Sequence, residues 1–362
     1  MSSRYHALVV SQVIPETHDA TSLVLTVPPE LAERYQYKSG QFLTFKLPGQ
    51  DGELLRCYSM SSSPALEQGL RVTIKRVAGG RASNYLCDHI GPGDRLQVMQ
   101  PAGLFVVRDS SEHLLLCAGG SGITPVFSIL QTVLHTGTGK IRLLYANRDE
   151  SSVIFAAELK ALVQAFPERL EVIHLLDSLS GVPSAALLSS LSDWQQQRAY
   201  ICGPGAFMDA METVLYQLGM DKSHIYIERF ISPAAPTAKN SIDACDIESR
   251  ADPAVAPASE LAPDKQVNTE ITQAIAEVEL DGTVHHIVWR GDETLLDAAE
   301  KAGVELPYSC RSGMCASCMC EVTEGQVALQ YNDVLDERDL QQNLTLSCQA
   351  LPRTEKVKLR YT

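Results

Sequence analysis

Cys310-Arg-Ser-Gly-Met-Cys315-Ala-Ser-Cys318, followed after 29 residues by Cys348, is the most informative stretch of the chain. Three cysteines in one tight loop and a fourth from elsewhere match the ligand spacing of a [2Fe–2S] cluster, which needs four thiolates around two irons. Small residues in the loop let backbone N–H groups point at the sulfides and raise the potential. A structural zinc site is the competing reading. Zinc usually takes two short cysteine pairs, and only Cys315 and Cys318 have that form. Cys320 breaks the spacing and is expected to be a small buried side chain. The chain holds ten cysteines, half of them in its last 53 residues. The first residues do not read as a secretory signal, so reduced thiols and a cytoplasmic setting are expected.

The pattern around the cysteines divides the 362 residues into three blocks and a linker. In residues 271–362, Ile275–Leu280 and Val284–Trp289 read as a hairpin around Asp281-Gly282. Thr294 and Asp297 open a short helix, Leu295 to Ala302, closed by Gly303. Residues 231–270 hold nine Ala, five Pro, no Gly and no aromatic residue, and read as a semi-extended linker without a core. Residues 108–230 show continuous apolar runs, such as His113–Ala118, Ile141–Tyr145 and Leu170–Leu176. Helix-like stretches at Val126–Leu134 and Phe155–Phe166 lie between them, which predicts a parallel α/β sheet. Residues 1–107 alternate in short runs, Ser22–Val27, Gln41–Leu47 and Leu70–Val77, and predict an antiparallel barrel or sandwich.

Charge and hydropathy exclude several classes. The net charge is −14, which leaves nothing to displace counterions from a nucleic acid. No apolar run reaches the length of a membrane span. Residues 271–362 carry 15 acidic and 8 basic side chains, so a partner with a basic docking surface is expected.

Two further motifs bear on chemistry. In Arg56-Cys-Tyr-Ser59, Tyr58 offers a flat aromatic face, Ser59 a hydrogen-bond donor and Arg56 a cation, the set a bound flavin requires. Strand alternation puts Arg56 and Tyr58 on one side and Ser59 on the other. Downstream, Ile74-Lys75-Arg76-Val77, a Gly-rich turn Gly79–Asn84 and Gly91-Pro-Gly-Asp94 follow in order. In that turn Gly80, Ser83 and Asn84 can present donors to a pyrophosphate. Leu114-Leu-Leu-Cys-Ala-Gly119-Gly-Ser-Gly122-Ile-Thr-Pro125 reads as a buried strand, a turn and a helix start. Gly119, Gly120 and Gly122 let the backbone approach a second pyrophosphate, and Thr124 is expected to cap the helix with Pro125 in its first turn.

Residues 271–362, with Leu306-Pro-Tyr-Ser-Cys-Arg-Ser-Gly followed by Cys315 and Cys318, resemble a plant-type ferredoxin. Residues 1–230 resemble the ferredoxin–NADP reductase superfamily. The whole order resembles the reductase components of multicomponent oxygenases, of the phenylacetyl-CoA epoxidase and ketosteroid 9α-hydroxylase type. The resemblance implies a multidomain chain. It would have an antiparallel β-barrel FAD domain (1–107), an α/β parallel-sheet NAD(P)H domain (108–230) and a β-grasp-like α+β [2Fe–2S] ferredoxin domain (271–362). It implies FAD, with FMN the less favoured flavin, held by Arg56, Tyr58, Ser59, Lys75, Gly80, Ser83 and Asn84. NADH or NADPH would lie on Gly119, Gly120, Gly122, Thr124, Gly203 and Pro204. Cys202 of Tyr200-Ile-Cys-Gly-Pro-Gly205 would stand beside the nicotinamide, and Glu228 and Phe230 beside the flavin, with Phe230 as core the alternative. Ser59, Cys202 and Glu228 are thus the expected catalytic set, and Cys310, Cys315, Cys318 and Cys348 the metal ligands. Asp149 and Glu150 would repel a 2′-phosphate, whereas Arg148 with Ser151 or Ser152 would bind one. The implied activity moves electrons from NAD(P)H through flavin and cluster to an iron-dependent oxygenase. A non-oxygenase acceptor such as a hybrid-cluster protein, a standalone diaphorase and a zinc-stabilised interaction protein are the alternatives.

Overall fold

The structure, a computed structural model, describes residues 4–49, 52–66, 69–192, 198–230 and 271–361. The expected linker, 231–270, lies outside the described residues. The alternating N-terminal runs form β1 (Tyr5–Thr17), β2 (Ala20–Thr26), β3 (Phe42–Gly49), β4 (Gly52–Ser59), β5 (Leu70–Lys75) and, after the helix α1 (Arg81–His89), β6 (Arg95–Met99). They make one antiparallel sheet in the order β4-β3-β6-β1-β2-β5. Leu8, Val10, Leu23, Leu25, Phe45, Leu47, Val72 and Ile74 alternate into a shared core that α1 covers with Ala82 and Leu86. A bridge from Met60, just past β4, to Val72 of β5 brings the two outer strands of that order together.

The apolar runs of the second block become β7 (Leu114–Gly119), β8 (Ile141–Asn147), β9 (Leu170–Leu176), β10 (Arg198–Cys202) and β11 (Ile225–Glu228). Between them lie α2 (Ile123–Thr136), α3 (Ala156–Ala165), α4 (Asp177–Ser180), α5 (Ala185–Ser192) and α6 (Gly205–Gln217). Every pairing in the order β11-β10-β7-β8-β9 is parallel. α2 and α3 cover one face, α5 and α6 the other, so β7 is buried on both sides and reads as an unbroken apolar run. The strand order reverses between β7 and β10. The crevice beyond their carboxyl ends is where such sheets take ligands.

The third block holds β12 (Gln273–Leu280), β13 (Thr283–Arg290), α7 (Leu295–Lys301), β14 (Met319–Glu324), β15 (Val327–Leu329), α8 (Glu337–Gln341), β16 (Leu344–Leu346), β17 (Ala350–Pro352) and β18 (Lys356–Arg360). Its main sheet, β13-β12-β18-β14-β16, is mixed, and β15 pairs with β17. The hairpin turns on Asp281 and Gly282, both at positive φ. Thr294 caps α7 through the Asp297 N–H at 3.2 Å, as its spacing indicates. Trp289 is fully buried and donates its indole N–H to the Glu293 carbonyl at 2.9 Å.

The third block docks on the other two. Arg4 pairs with Asp281 at 3.0 Å and donates to the Glu305 carbonyl at 3.1 Å, and Leu104 packs against the third core. Arg108 and Arg229 reach Asp336 and Asp333 at 3.8 and 3.9 Å.

Candidate functional site

The cysteine loop folds because three of its residues, Arg311, Gly313 and Ala316, take positive φ. At Gly313 an added Cβ would lie 2.7 Å from the Tyr331 carbonyl oxygen, so a side chain has no room there. These turns point amides inward. The Ser312 N–H donates to Cys310 Sγ at 3.4 Å, and the Gly313 amide donates to the Cys348 sulfur. The four thiols stand as two pairs. Cys318 Sγ lies 3.3 Å from Cys348 Sγ, and Cys310 hydrogen-bonds Cys315. Among the described residues no three His, Cys, Asp or Glu side chains gather where one ion could be held. Two thiolate pairs fit two irons, one pair each, better than a single zinc. The Ser312 hydroxyl is buried beside the Cys310 sulfur, a donor set against the first ligand position. Cys320 is buried in the core, as its position outside the spacing indicates.

The flavin motif closes β4. The Tyr58 ring packs edge-on against Phe45 at 5.6 Å between centroids and joins the core beneath α1. Here the structure corrects the Gly-rich turn. Only Val77–Gly80 turn; Ser83 and Asn84 already lie inside α1, whose N-cap is Gly80. The buried Ser83 hydroxyl accepts the Val77 N–H at 3.2 Å, and Asn84 Nδ2 donates to the Val77 carbonyl at 3.4 Å, so both brace the turn. No side chain caps α1, which leaves its first N–H groups free of a side-chain cap. Arg81 and Arg56 stand near enough that their charges repel. A free helix N-terminus with two guanidinium groups is a donor set suited to a diphosphate. Lys75 lies elsewhere: Nζ is 3.9 Å from Asp19 and 3.6 Å from the point a Gly120 Cβ would take, so it underlies the glycine loop.

At the crevice of the parallel sheet the glycines are sterically required. A Cβ on Gly122 would lie 2.1 Å from the Cys202 carbonyl oxygen, and one on Gly203 would lie 2.9 Å from the Gly119 Cα. Gly120 takes φ +52°. Thr124 does not cap the helix. Gly120–Gly122 form a tight turn that runs straight into α2, the N-cap is Gly122, and the Thr124 hydroxyl folds back on the Ser121 carbonyl at 3.1 Å. Like α1, α2 has no side-chain cap. Pro204 occupies the N-cap of α6.

The loop expected to face the ribose is committed internally. The Asp149 carboxylate accepts from Ser151 Oγ at 2.7 Å and from the Ser152 N–H and hydroxyl at 2.9 Å, which holds it below the usual carboxylate range. Arg148 is turned away, 2.8 Å from Asp19 of the first block.

The three expected catalytic residues do meet. Ser59 Oγ donates to Glu228 Oε2 at 3.1 Å. Glu228 sits in register with Cys202 across β10 and β11. Burial pushes the Glu228 carboxyl up to about 8. Cys202 is fully buried, and burial followed by the nearby carboxyl raises its thiol well above the ordinary value. Phe230, at 46% exposure, is not core. One residue was not foreseen at all. Cys57, between Arg56 and Tyr58, places Sγ 2.9 Å from Ser309 Oγ of the cysteine loop. The alternation that pairs 57 with 59 on one strand face was the available signal.

Comparison with known proteins agrees with this geometry. Residues 7–107 match the oxidoreductase FAD-binding domain model, 116–213 the oxidoreductase NAD-binding domain model and 278–353 the 2Fe-2S iron-sulfur cluster binding domain model. The chain is 42% identical to the ferredoxin reductase component of 3-ketosteroid-9-alpha-monooxygenase from Rhodococcus rhodochrous, covering 99% of this chain and 97% of that one. It is 35% identical to a 1,2-phenylacetyl-CoA epoxidase subunit from Escherichia coli K12, covering 98% and 96%. The solved structure of phthalate dioxygenase reductase shares the fold, with a TM-score of 0.57 at 22% identity over 99% of this chain and 98% of that one. This chain therefore belongs to the family of ferredoxin reductase components, oxidoreductases built from an FAD-binding, an NAD-binding and a [2Fe–2S] domain.

Proposed function

We propose that this protein is the reductase component of a multicomponent oxygenase and passes electrons from NADH, through FAD and a [2Fe–2S] cluster, to an iron-containing oxygenase partner. The observation that carries this reading is on β4. Ser59 touches Glu228 at the nucleotide sheet, and Cys57, two residues earlier, touches the cluster loop. One strand thus meets both the nucleotide side and the cluster side. The relatives' names, reductase components of monooxygenases and an epoxidase subunit, support the same role.

The bound cofactors supply the redox chemistry, the flavin taking electrons in a pair and releasing them singly. The protein positions and tunes. Arg56, Arg81 and the α1 N-terminus would hold the flavin diphosphate, Tyr58 and the exposed Phe230 would flank its ring, and Gly119, Gly120, Gly122 and the α2 N-terminus would hold the nicotinamide dinucleotide's diphosphate. Gly203 and Pro204 shape the pocket floor. At neutral pH Glu228 keeps its proton, so Ser59 and Glu228 form a neutral donor–acceptor pair at the join of the two sheets. Cys202 closes the wall beside them without carrying charge. NADH is favoured over NADPH because the hydroxyls of Ser151 and Ser152 are spent on Asp149, and Arg148 on Asp19.

The finer architecture follows the same reading. The Met60–Val72 bridge supports closure of the first sheet into a barrel, and the mixed sheet packed on α7 supports a β-grasp-like third domain. None of the helices among the described residues is long and apolar enough to cross a membrane. Free thiols at all nine described cysteines suit a reducing, cytoplasmic setting. The acidic excess of residues 271–362 suits a partner with a basic docking surface.

The test is anaerobic reduction of a purified oxygenase component by NADH, followed at the oxygenase's own iron absorbance. Reduction that needs this protein and stops in Cys348→Ser supports the reading. Reduction of an artificial one-electron acceptor but of no oxygenase component contradicts it.

A further inference from the structure

Cys57 joins two sites that the fold builds from distant sequence. It faces Thr44 across β3, with Sγ 3.5 Å from Thr44 Oγ1. On its outer side Sγ lies 2.9 Å from Ser309 Oγ and within hydrogen-bond reach of the Cys315 sulfur, which as a thiolate ligand can only accept from the Cys57 thiol. Ser309 directly precedes the first cluster ligand, and Cys315 is the second. Residues 57 and 59 share one face of β4, about 7 Å apart along the strand. The residue that contacts Glu228 and the residue that contacts the cluster loop are therefore neighbours on one rigid element. A side chain at 57 that only filled space would not need a donor, yet this one meets a hydroxyl and a ligand sulfur. Hydrogen bonds to ligand sulfurs raise a cluster's potential, because they withdraw charge from the thiolate.

We propose that Cys57 is a positioning residue for electron transfer: its thiol docks the cluster loop on the flavin-binding strand and, through its hydrogen bond to Cys315, raises the cluster potential so that electrons run from flavin to cluster. The proposal rests on the reading above that Cys310, Cys315, Cys318 and Cys348 hold the [2Fe–2S] centre. Cys57 is neither oxidised nor reduced, and no bond at its sulfur forms or breaks. Electrons passed singly from a bound flavin to a bound cluster would leave this residue unchanged.

The test uses the full-length protein with its cofactors, as wild type, Cys57→Val, Cys57→Ala and Cys57→Ser. Iron and sulfide content is measured first. Their absence from the wild type would defeat the cluster reading itself rather than the role of Cys57. The cluster's midpoint potential is then read by EPR during a redox titration, and flavin-to-cluster transfer by stopped-flow absorbance. Valine keeps the bulk but removes the donor, and should shift the one-electron equilibrium about tenfold away from the cluster, close to 59 mV, with slower transfer. Alanine should do the same. Serine, which keeps a donor, should recover most of both. Flavin reduction by NADH should stay within twofold throughout. If Cys57→Val and Cys57→Ala load a full cluster yet keep the wild-type potential and transfer rate, the proposal is wrong.

Discussion

Ser59 Oγ and Glu228 Oε2 stand 3.1 Å apart, a hydrogen bond that joins the last residue of β4 to the last residue of β11. Two sheets with separate cores meet at this pair, and its chemistry follows from its setting. Burial raises the Glu228 carboxyl from 4.5 to about 8, with the Ser59 bond opposing part of that rise. The folded protein therefore holds this proton more tightly than the unfolded chain. The stabilisation is fully present below pH 4.5 and is lost as the pH rises toward 8. Glu228→Gln should flatten this part of the stability-against-pH curve, measured by thermal unfolding between pH 5 and 9. In wild type, the rate of flavin reduction by NADH should change near pH 8, and that inflection should vanish in the variant. An inflection that survives belongs to another group.

Coenzyme choice should yield at Asp149. Its carboxylate occupies the hydroxyls of Ser151 and Ser152. Asp149→Ala frees both and removes a charge that would repel a 2′-phosphate. The ratio of kcat/KM for NADPH to that for NADH should rise about tenfold or more, the equivalent of at least about 1.4 kcal/mol. An unchanged ratio in steady-state assays would place the 2′ position elsewhere.

The glycines of the second sheet differ in what they protect. A methyl group at Gly122 would press on the Cys202 carbonyl at 2.1 Å, whereas one at Gly205 would meet nothing within 4 Å. Gly122→Ala should cost about 1–3 kcal/mol through forced separation of β7 and β10. Gly205→Ala, at the start of α6, should be neutral or gain up to about 1 kcal/mol. Urea midpoints of the two variants should therefore move in different ways. Equal losses would show that the close approach is not what matters at Gly122.

Ion pairs between the second and third blocks should make internal electron transfer sensitive to salt. Arg229 to Asp333 and Arg108 to Asp336 are partly exposed pairs at 3.9 and 3.8 Å, each worth about 0–1 kcal/mol. Raising ionic strength screens them. Stopped-flow transfer from flavin to cluster should slow with salt in the wild type, and should be slower but less salt-dependent in the double variant Arg108→Ala, Arg229→Ala. A wild-type rate independent of salt would remove these pairs from the docking.

What the sequence disclosed and what it hid have a common cause. The Cys310–Cys318 loop, the Asp281-Gly282 hairpin and the Thr294 cap were legible because each is settled within a few residues. Continuous against alternating apolar runs separated the parallel sheet from the antiparallel one, since burial on two faces or one leaves that mark. The Thr124 cap failed because Gly120–Gly122 begin a tight turn that carries helical geometry two residues further upstream. Ser83 and Asn84 were read as part of a turn, whereas α1 already starts at Arg81. Arg148 was judged by its neighbours in sequence, but its partner, Asp19, is 129 residues away. Cys57 and Ser309 are 252 residues apart, and only packing of the third block on the first brings them together.

The central claim is that electrons from NADH reach a [2Fe–2S] centre by way of a flavin, which accepts them as a pair and releases them singly. It is tested most directly by anaerobic titration of the purified protein with NADH, followed by visible absorbance and low-temperature EPR. Flavin bands over a broad iron–sulfur shoulder are expected, both bleached by NADH in excess, with the signal of a reduced [2Fe–2S] centre appearing. A protein that carries zinc in place of iron and sulfide, or whose flavin bleaches while the iron–sulfur centre stays oxidised, would contradict it.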